Sequence, residues 1–566
     1  MASESFVRAA GAGRDRDWHV ATIVFLVITS LVRLALLRQV ELSADEAYYW
    51  EWSRRLSLGY YDQGPLIAYL IRVTTAVFGT NELGVRFGVW AASLGTLVCV
   101  YLLARRFTSA RAAFLAVLFL ALTPLVAVGS LVATYDPPLV LFWSLALVAL
   151  ERALFAARRV EAVRGWLLAG LWCGLGLLSK HTMLLIVPCL LLFLALSPPH
   201  RHWLARPLPY LAFLLTLAMY SGVMVWNAKH HWWTFGHLLF LAGKNNGTLL
   251  KRFGDLFGGQ AVLLGPGLFI ASLWVFCRRG VFGGAEDRRN MSDLPDPPLP
   301  TASAEACEPQ DASRVPGRRA RSAARLPVRP GGMLFLFCFG VPVFLFFCLV
   351  VFKAKVQANW APCAWLTPAI ALAIVLVDAL QGGGAKGRRA VAAIWAVAGS
   401  SGALTGVLLA PPLRHALGVR QRAEDDIDNR TYGARQMAAE VASIRAGLQR
   451  EGRPVFIASN DYQTCALLSF YLPDHPRTYD LFLYTRINEF AVDADDLRRH
   501  VGENAVFVDT DMSQDEALRE QFESVEWSGP FPVWRRPYFR EPIRVHFYAR
   551  CRGFKRYLGT TRAVGG

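Results

Sequence analysis

Residues 18–52 read WHVATIVFLVITSLVRLALLRQVELSADEAYYWEW, and this stretch decides the class of the protein. Its first part, residues 18–38, is a run of apolar residues long enough to cross a bilayer as one helix, which takes about 20 residues. The sequence LLRQ at 36–39 offers no small-residue cleavage site, so the run predicts a retained membrane helix and not a signal peptide. A loop rich in carboxylates and aromatic residues follows it directly.

Apolar runs of this kind recur along the chain of 566 residues, of which 54% are hydrophobic and only 18% charged. A soluble domain carries about 25% charged residues. The pattern therefore predicts a mainly α-helical, polytopic membrane protein with about eleven transmembrane helices. The runs lie at 18–38, 83–104, 112–132, 137–157, 165–179, 182–197, 208–226, 258–277, 333–352, 360–380 and 390–410.

The net charge of +17 lies entirely in residues 1–412, because basic and acidic residues are equal in number over 413–566. An excess of Lys and Arg among apolar runs is typical of cytoplasmic loops under the positive-inside rule. The charge thus argues against nucleic acid as a partner. It predicts a cytoplasmic N-terminus at 1–17 and, with eleven spans, a C-terminal region outside the cytoplasm.

The chain divides into a transmembrane domain, residues 18–412, and a C-terminal extracytoplasmic domain, residues 413–566. The segment 280–331 is rich in Pro, Arg, Asp and Ser and predicts a disordered cytoplasmic loop. Within 413–566, strand patterns at 454–458, 505–508 and 545–549 and helix patterns at 461–471 and 513–523 predict a small α/β fold.

Carboxylates cluster on the predicted outer face, where they are costly beside a membrane unless they have a partner or a function. The first outer loop, residues 39–82, holds Asp45, Glu46 and Asp62, which we predict to be catalytic. Asp45 also fits a helix N-terminus. Of the two adjacent carboxylates, Asp45 is expected to face the acceptor while Glu46 braces the loop or the backbone. Further side chains are expected to line the substrate site: Tyr48, Tyr61, Asp136, His181 and Asn359.

Lysines on the same face run against the positive-inside trend. Lys180 separates two short apolar runs, and Lys353 and Lys355 follow the ninth run. Together they predict a cationic pocket for a phosphate at the membrane surface. His230, His231 and His237 leave a divalent metal possible, although no cofactor is certain.

One reaction accounts for acids and lysines on one face. A lipid phosphate is held by lysine while a carboxylate takes a proton from an acceptor hydroxyl, which attacks a sugar anomeric carbon. A non-catalytic carrier or flippase for the same lipid is the alternative, although no internal repeat supports it. A receptor built around the C-terminal domain is a third reading.

Six motifs in order resemble bacterial membrane glycosyltransferases of the superfamily that holds protein O-mannosyltransferases and lipid A aminoarabinose transferases. These motifs are Asp45-Glu46, YDQGPL at 61–66, YDPPL at 135–139, GLLSKH at 176–181, WN at 226–227 and KAK at 353–355 leading to NW at 359–360. Relatives often carry a basic residue and a proline where this chain has Gln63-Gly64.

The resemblance implies a GT-C fold and an inverting transfer from a polyprenyl-phosphate sugar donor. The acceptor would be a hydroxyl or phosphate of lipid A or lipopolysaccharide, a cell-surface glycan or a protein. The active site would face the periplasm from the bacterial inner membrane, among membrane lipids. The resemblance also implies that Asp45 is the base or the acceptor-orienting carboxylate, with Glu46 beside it.

Overall fold

The computed structural model describes residues 2–243, 247–277, 328–417, 427–483, 486–535, 539 and 541–558. It is mostly helical, as the sequence predicts, with one small sheet in the C-terminal region. Most of the predicted loop at 280–331 lies outside the described residues. At its end, Arg329 donates to Glu151 Oε1 at 2.6 Å.

The helices up to residue 277 begin with a long N-terminal helix, from which the first loop leads to the next long helix. They are α1 (Ala2–Leu36), α2 (Ala44–Arg54), α3 (Leu66–Phe78), α4 (Glu82–Phe107), α5 (Ala110–Ala121), α6 (Pro124–Ala127), α7 (Asp136–Leu154), α8 (Arg159–Ser179), α9 (Ile186–Leu196), α10 (Pro207–Lys229), α11 (Trp233–Gly243), α12 (Leu249–Leu264) and α13 (Pro266–Cys277).

The remaining membrane helices and the C-terminal elements follow in chain order. They are α14 (Gly332–Cys338), α15 (Val341–Val350), α16 (Leu366–Gln381), α17 (Gly384–Leu409), α18 (Pro411–Ala416), α19 (Ala434–Gln449), β1 (Val455–Ser459), α20 (Tyr462–Tyr471), β2 (Thr478–Asp480), β3 (Asn504–Asp509), α21 (Asp515–Gln521), β4 (Phe522–Val533) and β5 (Arg544–Phe554).

Eight helices of the described chain are long and apolar enough to cross a membrane, or nine if one bent pair counts as a span. The chain is therefore a multi-pass membrane protein, but the predicted count of eleven is not confirmed. The eight are Asp15–Leu36, Glu82–Phe107, Asp136–Leu154, Arg159–Ser179, Pro207–Lys229, Gly332–Val350, Pro362–Gln381 and Gly384–Leu409.

Three apolar runs do not form a straight helix of spanning length, and local chemistry explains each. Helix α5 ends before Thr123, whose side chain caps the short α6 with Pro124 in its first turn. Gly265 has φ +81° and precedes Pro266, and there α12 and α13 bend by 111°. The backbone at Lys180 is extended, which ends α8 and leaves the shorter helix 181–196.

The C-terminal region forms a five-stranded sheet in the order β2-β1-β3-β5-β4. The strands β2, β1 and β3 are parallel, whereas β5 runs antiparallel to β3 and β4. The predicted strands at 454–458, 505–508 and 545–549 are confirmed as β1, β3 and β5. The strands β2 and β4 were not predicted from the sequence.

The C-terminal sheet domain packs against the first loop. Trp50 of α2 meets Phe470 of α20 edge to face, with ring centroids 5.0 Å apart. The Leu42 N–H donates to the Tyr471 hydroxyl at 2.6 Å, and Arg54 Nη2 donates to the carbonyl oxygen of His475 at 2.9 Å. One buried apolar cluster thus contains residues of both regions. The first loop and the C-terminal domain therefore lie on the same side of the membrane helices.

Candidate active site

Helix α2 fixes the positions of the two adjacent carboxylates. Ser43 is its N-cap and accepts from the Glu46 N–H, while Glu46 Oε2 accepts from the Ser43 N–H at 2.9 Å. This reciprocal capping box stabilises the helix start. Successive residues on a helix point about 100° apart. Asp45 and Glu46 therefore face different surroundings.

Glu46 is completely buried and acts as a brace. It accepts two hydrogen bonds from Arg86 of α4, at 2.7 and 2.8 Å, and one from the Ala133 N–H at 2.8 Å. Burial alone would raise the pKa of Glu46, but the Arg86 guanidinium holds it below its usual value. Because both carboxylate oxygens are engaged inside the protein, the geometry favours the bracing role for Glu46 over the predicted catalytic one.

Asp45 keeps its side chain accessible to solvent. Gln463 of α20 donates from Nε2 to Asp45 Oδ1 at 3.4 Å. Partial loss of hydration raises the pKa of Asp45, while Gln463 and the charge of Arg430 lower it. An accessible carboxylate with raised proton affinity has the properties of a general base.

Asp62 lies close enough to Asp45 for their charges to interact. Burial raises the pKa of Asp62 to about 6, and the Asp45 charge adds to the shift, while the Tyr48 hydroxyl and Arg486 oppose it. His237 Nε2 of α11 stands 3.4 Å from Asp62 Oδ1. The structure therefore brings together the predicted Asp45, Asp62 and Tyr48.

The segment 486–490 of the C-terminal domain, here called the clamp segment, contacts the same group. Glu489 Oε2 accepts from the Tyr61 N–H at 2.6 Å, and the Glu489 N–H donates to the Tyr48 hydroxyl at 2.8 Å. The Phe490 ring stacks on Tyr48, with centroids 6.1 Å apart. The predicted Tyr48 and Tyr61 thus orient the clamp segment over Asp62.

Lys180 takes a partner that differs from the predicted phosphate. Its Nζ lies 2.6 Å from Asp136 Oδ1, and Asn359 donates to Asp136 Oδ2 at 2.7 Å. Lys180 is 5% exposed, so its charge is compensated inside the protein. The structure brings Lys180, Asp136 and Asn359 together, and the predicted contact of Lys180 with a phosphate stays a prediction.

His181 and Gln63 join the first loop to the end of α8. His181 Nδ1 lies 3.2 Å from Gln63 Oε1, and Nε2 lies 2.5 Å from the Tyr220 hydroxyl. A Cβ at Gly64 would stand 2.1 Å from the Leu178 carbonyl oxygen. The difference from relatives at Gln63-Gly64 therefore has a physical reason. The side chain of Gln63 hydrogen-bonds to His181, and position 64 has space only for glycine.

The other two predicted lysines lie in the loop before Asn359, but they do not share a partner with Lys180. Lys355 Nζ is 3.6 Å from Asp255 of α12, and Lys353 is exposed. Arg252, one turn before Asp255, donates to the Phe352 carbonyl at 3.4 Å and is only 6% exposed. Lys355 therefore pairs with Asp255, while Arg252 contacts the backbone next to Lys353.

An apolar cavity of about 210 Å³ opens among the membrane helices beside the Lys180 group. Its apolar walls come mainly from α5 to α7 and the loop between α6 and α7, and its polar lining includes Asp136 and Asn359. Such a space suits a hydrocarbon chain with a polar end.

Metal-ligating side chains do not converge within the described ranges: no group of three or more His, Cys, Asp or Glu could hold an ion there. His230 stacks on Trp226, with centroids 4.2 Å apart, and His231 lies 6.2 Å from Trp233. His237 alone of the three faces a carboxylate, Asp62.

Sequence reasoning missed the residues that approach the site from elsewhere: Arg86, Arg252, Gln463, Arg486 and Glu489. Arg86 had a signal, because a charge inside an apolar run needs a partner. The contacts from Gln463, Arg486 and Glu489 join positions more than 240 residues apart and carry no sequence signal.

Known proteins match parts of the chain. Residues 62–226 match the family described as dolichyl-phosphate-mannose-protein mannosyltransferase. The lipid A galacturonosyltransferase RgtD of Rhizobium johnstonii is 31% identical over 255 residues, covering 44% of this chain and 51% of that protein. An undecaprenyl phosphate-α-4-amino-4-deoxy-L-arabinose arabinosyl transferase of Pseudomonas aeruginosa is 31% identical over 206 residues, 34% of this chain and 36% of that protein. The chain thus spans about half or less of the length of these relatives.

The whole fold matches a crystal structure of ArnT from Cupriavidus metallidurans. The apo structure of ArnT gives a TM-score of 0.56 at 14% identity, and the match covers 97% of this chain and 99% of the ArnT chain. The form bound to undecaprenyl phosphate gives 0.56 at 16% identity, with 94% and 98% covered. The chain therefore shares the overall fold of ArnT, and parts of its sequence are similar to the mannosyltransferase family and to the two lipid A transferases.

Proposed function

We propose that the protein is a membrane glycosyltransferase that moves a sugar from a polyprenyl-phosphate donor to an acceptor hydroxyl or phosphate. The observation that carries this proposal is the pairing of an accessible Asp45 with a buried, braced Glu46 at the start of α2. Lipid binding alone does not require an accessible carboxylate on a helix that Glu46 braces, whereas general-base catalysis does.

The donor lipid is supported by two features of the site. The apolar cavity beside Asp136 and Asn359 suits an isoprenoid chain. Arg252, Lys353 and Lys355 supply positive charge for a phosphate at the membrane surface, which stabilises a phosphate leaving group. The relatives named above include one that uses undecaprenyl phosphate-linked aminoarabinose.

Asp45 would accept the proton of the acceptor as the acceptor oxygen attacks the anomeric carbon and the lipid phosphate departs. A single direct displacement inverts the anomeric centre. Asp62 would adjust the proton affinity of Asp45 through its charge and contact the acceptor. The site would face the periplasm from the inner membrane, with lipid A, another surface glycan or a protein as the acceptor.

The flippase alternative has no support from the relatives described above, each of which bears the name of a transferase. The receptor reading treats the C-terminal domain as independent. Gln463 and Glu489 of that domain instead contact Asp45 and Tyr61, so the domain completes the site.

Transfer by the purified protein tests the proposal. The full chain in nanodiscs would be incubated with a panel of undecaprenyl-phosphate sugars and with lipid A, and products would be read by mass spectrometry. The mass increment on the acceptor identifies the sugar. Lipopolysaccharide and glycoproteins of a deletion strain should lack the same increment. If the deletion strain keeps every surface glycan unchanged and no donor is consumed, the proposal fails.

A further inference from the structure

Arg486 of the clamp segment makes contacts that no catalytic role yet explains. Its Nη2 donates to His237 Nδ1, and its guanidinium lies 4.8 Å from the Phe240 ring and 5.6 Å from the Tyr61 ring. An arginine side chain is held here by two aromatic faces and one imidazole. The arrangement holds the guanidinium beside Tyr61, the residue before Asp62.

The contact with Arg486 decides which nitrogen of His237 carries the proton. Arginine can only donate, so Nδ1 must accept and the proton must stand on Nε2. His237 Nε2, which then carries the proton, lies 3.4 Å from Asp62 Oδ1. Burial and the Arg486 charge lower the pKa of His237 to about 4, so the imidazole is neutral at physiological pH.

We propose that Arg486 is a positioning residue for Asp62, acting through the fixed tautomer of His237. The chain Arg486–His237–Asp62 joins the C-terminal domain to α11 and to the first loop, and it orients one carboxylate oxygen. This proposal rests on the proposed function only for its effect on turnover. The tautomer itself is a property of the folded protein.

Other ionisable groups also face Asp62 and set the background against which Arg486 acts. They are Asp45, Tyr48 and Tyr49 from α2, Tyr61, Tyr135, Tyr462, His237 and Arg486. Arg486 is the cation among them, because His237 is neutral. Removing it leaves Asp62 with like-charged or neutral neighbours, which favours the protonated carboxyl.

Three variants of the full chain in nanodiscs test the proposal: Arg486→Gln, Arg486→Lys and the control Arg498→Gln. Arg498 lies in the same domain, is 75% exposed and pairs with Asp495. Arg486→Gln should lower kcat by about 10- to 100-fold, as misplacement of a catalytic group does, with little change in KM for the donor. The acidic limb of its pH profile should move to higher pH. Arg486→Lys should reverse part of this shift of the pH profile. Arg498→Gln should leave kcat, KM and the pH profile unchanged.

A second readout needs no turnover. Ring ¹⁵N chemical shifts of histidine, assigned with His237→Gln, should show the Nε2–H tautomer in the parent and a mixture in Arg486→Gln. If the unmodified protein transfers no sugar, the proposed function fails. The comparison of the His237 tautomer in the unmodified protein and in Arg486→Gln still tests whether Arg486 positions His237. An unchanged tautomer, or an equal loss of kcat in Arg498→Gln, would overturn the proposal.

Discussion

Asp45 and Glu46 show how far neighbouring residues can differ in role. The sequence predicts that two adjacent carboxylates on a helix face different ways, and the structure agrees. The sequence also predicts that Glu46 braces the loop, but it could not identify the partners of Glu46, because Arg86 and Ala133 reach it from positions 40 and 87 residues away. The Glu46–Arg86 ion pair therefore depends on tertiary packing, whereas the capping box of Ser43 and Glu46 can be predicted from the local sequence.

Glu46→Gln should destabilise the fold. The change leaves the Arg86 charge buried without its counter-charge, a loss of about 3–5 kcal/mol. Thermal unfolding in nanodiscs measures it. The control Glu523→Gln breaks an exposed pair with Arg453, where about 0–1 kcal/mol is expected. Equal unfolding temperatures for the two variants would show that Glu46 is not a brace.

Turnover should rise as pH increases through about 6, the value to which burial raises the pKa of Asp62. Below this pH Asp62 is protonated and cannot act as a carboxylate. Folding stability should change in the opposite direction. The folded protein holds the Asp62 proton more tightly than the unfolded chain, so this contribution is lost as pH rises from about 4 to about 6. A rate independent of pH from 5 to 7 would contradict the assignment.

At the scale of elements, apolar runs were sufficient to predict where membrane helices lie, but not their lengths. Thr123-Pro124 and Gly265-Pro266 interrupt two runs, and these local breaks outweigh hydropathy. In the sheet, β2 is only three residues long and all three are buried, so it shows no alternation of apolar and polar residues that would predict a strand. Strand β4 contains Pro530 and Pro532, and its register shifts between Ser528 and Phe531, so its alternating pattern is broken.

Gly64→Ala should impair activity through the approach of the first loop to α8. The added methyl would stand 2.1 Å from the Leu178 carbonyl oxygen, and this backbone atom cannot move aside cheaply. The turn with Asp62 should shift, and turnover should fall by about tenfold or more. The control Gly254→Ala adds a methyl where nothing lies within 4 Å, in the interior of α12. Normal turnover in Gly64→Ala would show that this packing is not needed.

Lys355→Ala should raise the apparent KM for the lipid donor, whereas Lys180→Ala should mainly destabilise the protein. Lys355 is half exposed and its partner Asp255 is partly exposed as well, whereas the buried Lys180 neutralises the largely buried Asp136. Donor titration and thermal unfolding of both variants separate the two effects. Lys386→Ala, at an exposed position near the start of α17, is the control. A higher donor KM in Lys180→Ala alone would place the phosphate at Lys180 instead.

At the scale of the whole molecule, the site is assembled from regions far apart in the sequence. The first loop supplies Asp45 and Asp62, the membrane helices supply the cavity, and the C-terminal domain supplies Gln463 and the clamp segment. The sequence predicted the membrane class and the GT-C fold, and the catalytic roles of the first-loop residues stay predictions. It did not predict that the C-terminal domain completes the site, because those contacts depend on tertiary packing.

The central claim is that Asp45 is the base of a transferase and not part of a lipid carrier. Asp45→Asn keeps the shape and one acceptor oxygen but removes basicity, so turnover should fall by about 10²–10⁴-fold. Binding of undecaprenyl phosphate to the same nanodiscs should be unchanged, because Asp45 is assigned to the acceptor. The decisive measurement is therefore sugar transfer and undecaprenyl-phosphate binding on one preparation of Asp45→Asn. Lost transfer with intact binding is the predicted result, and full transfer by Asp45→Asn would contradict the account.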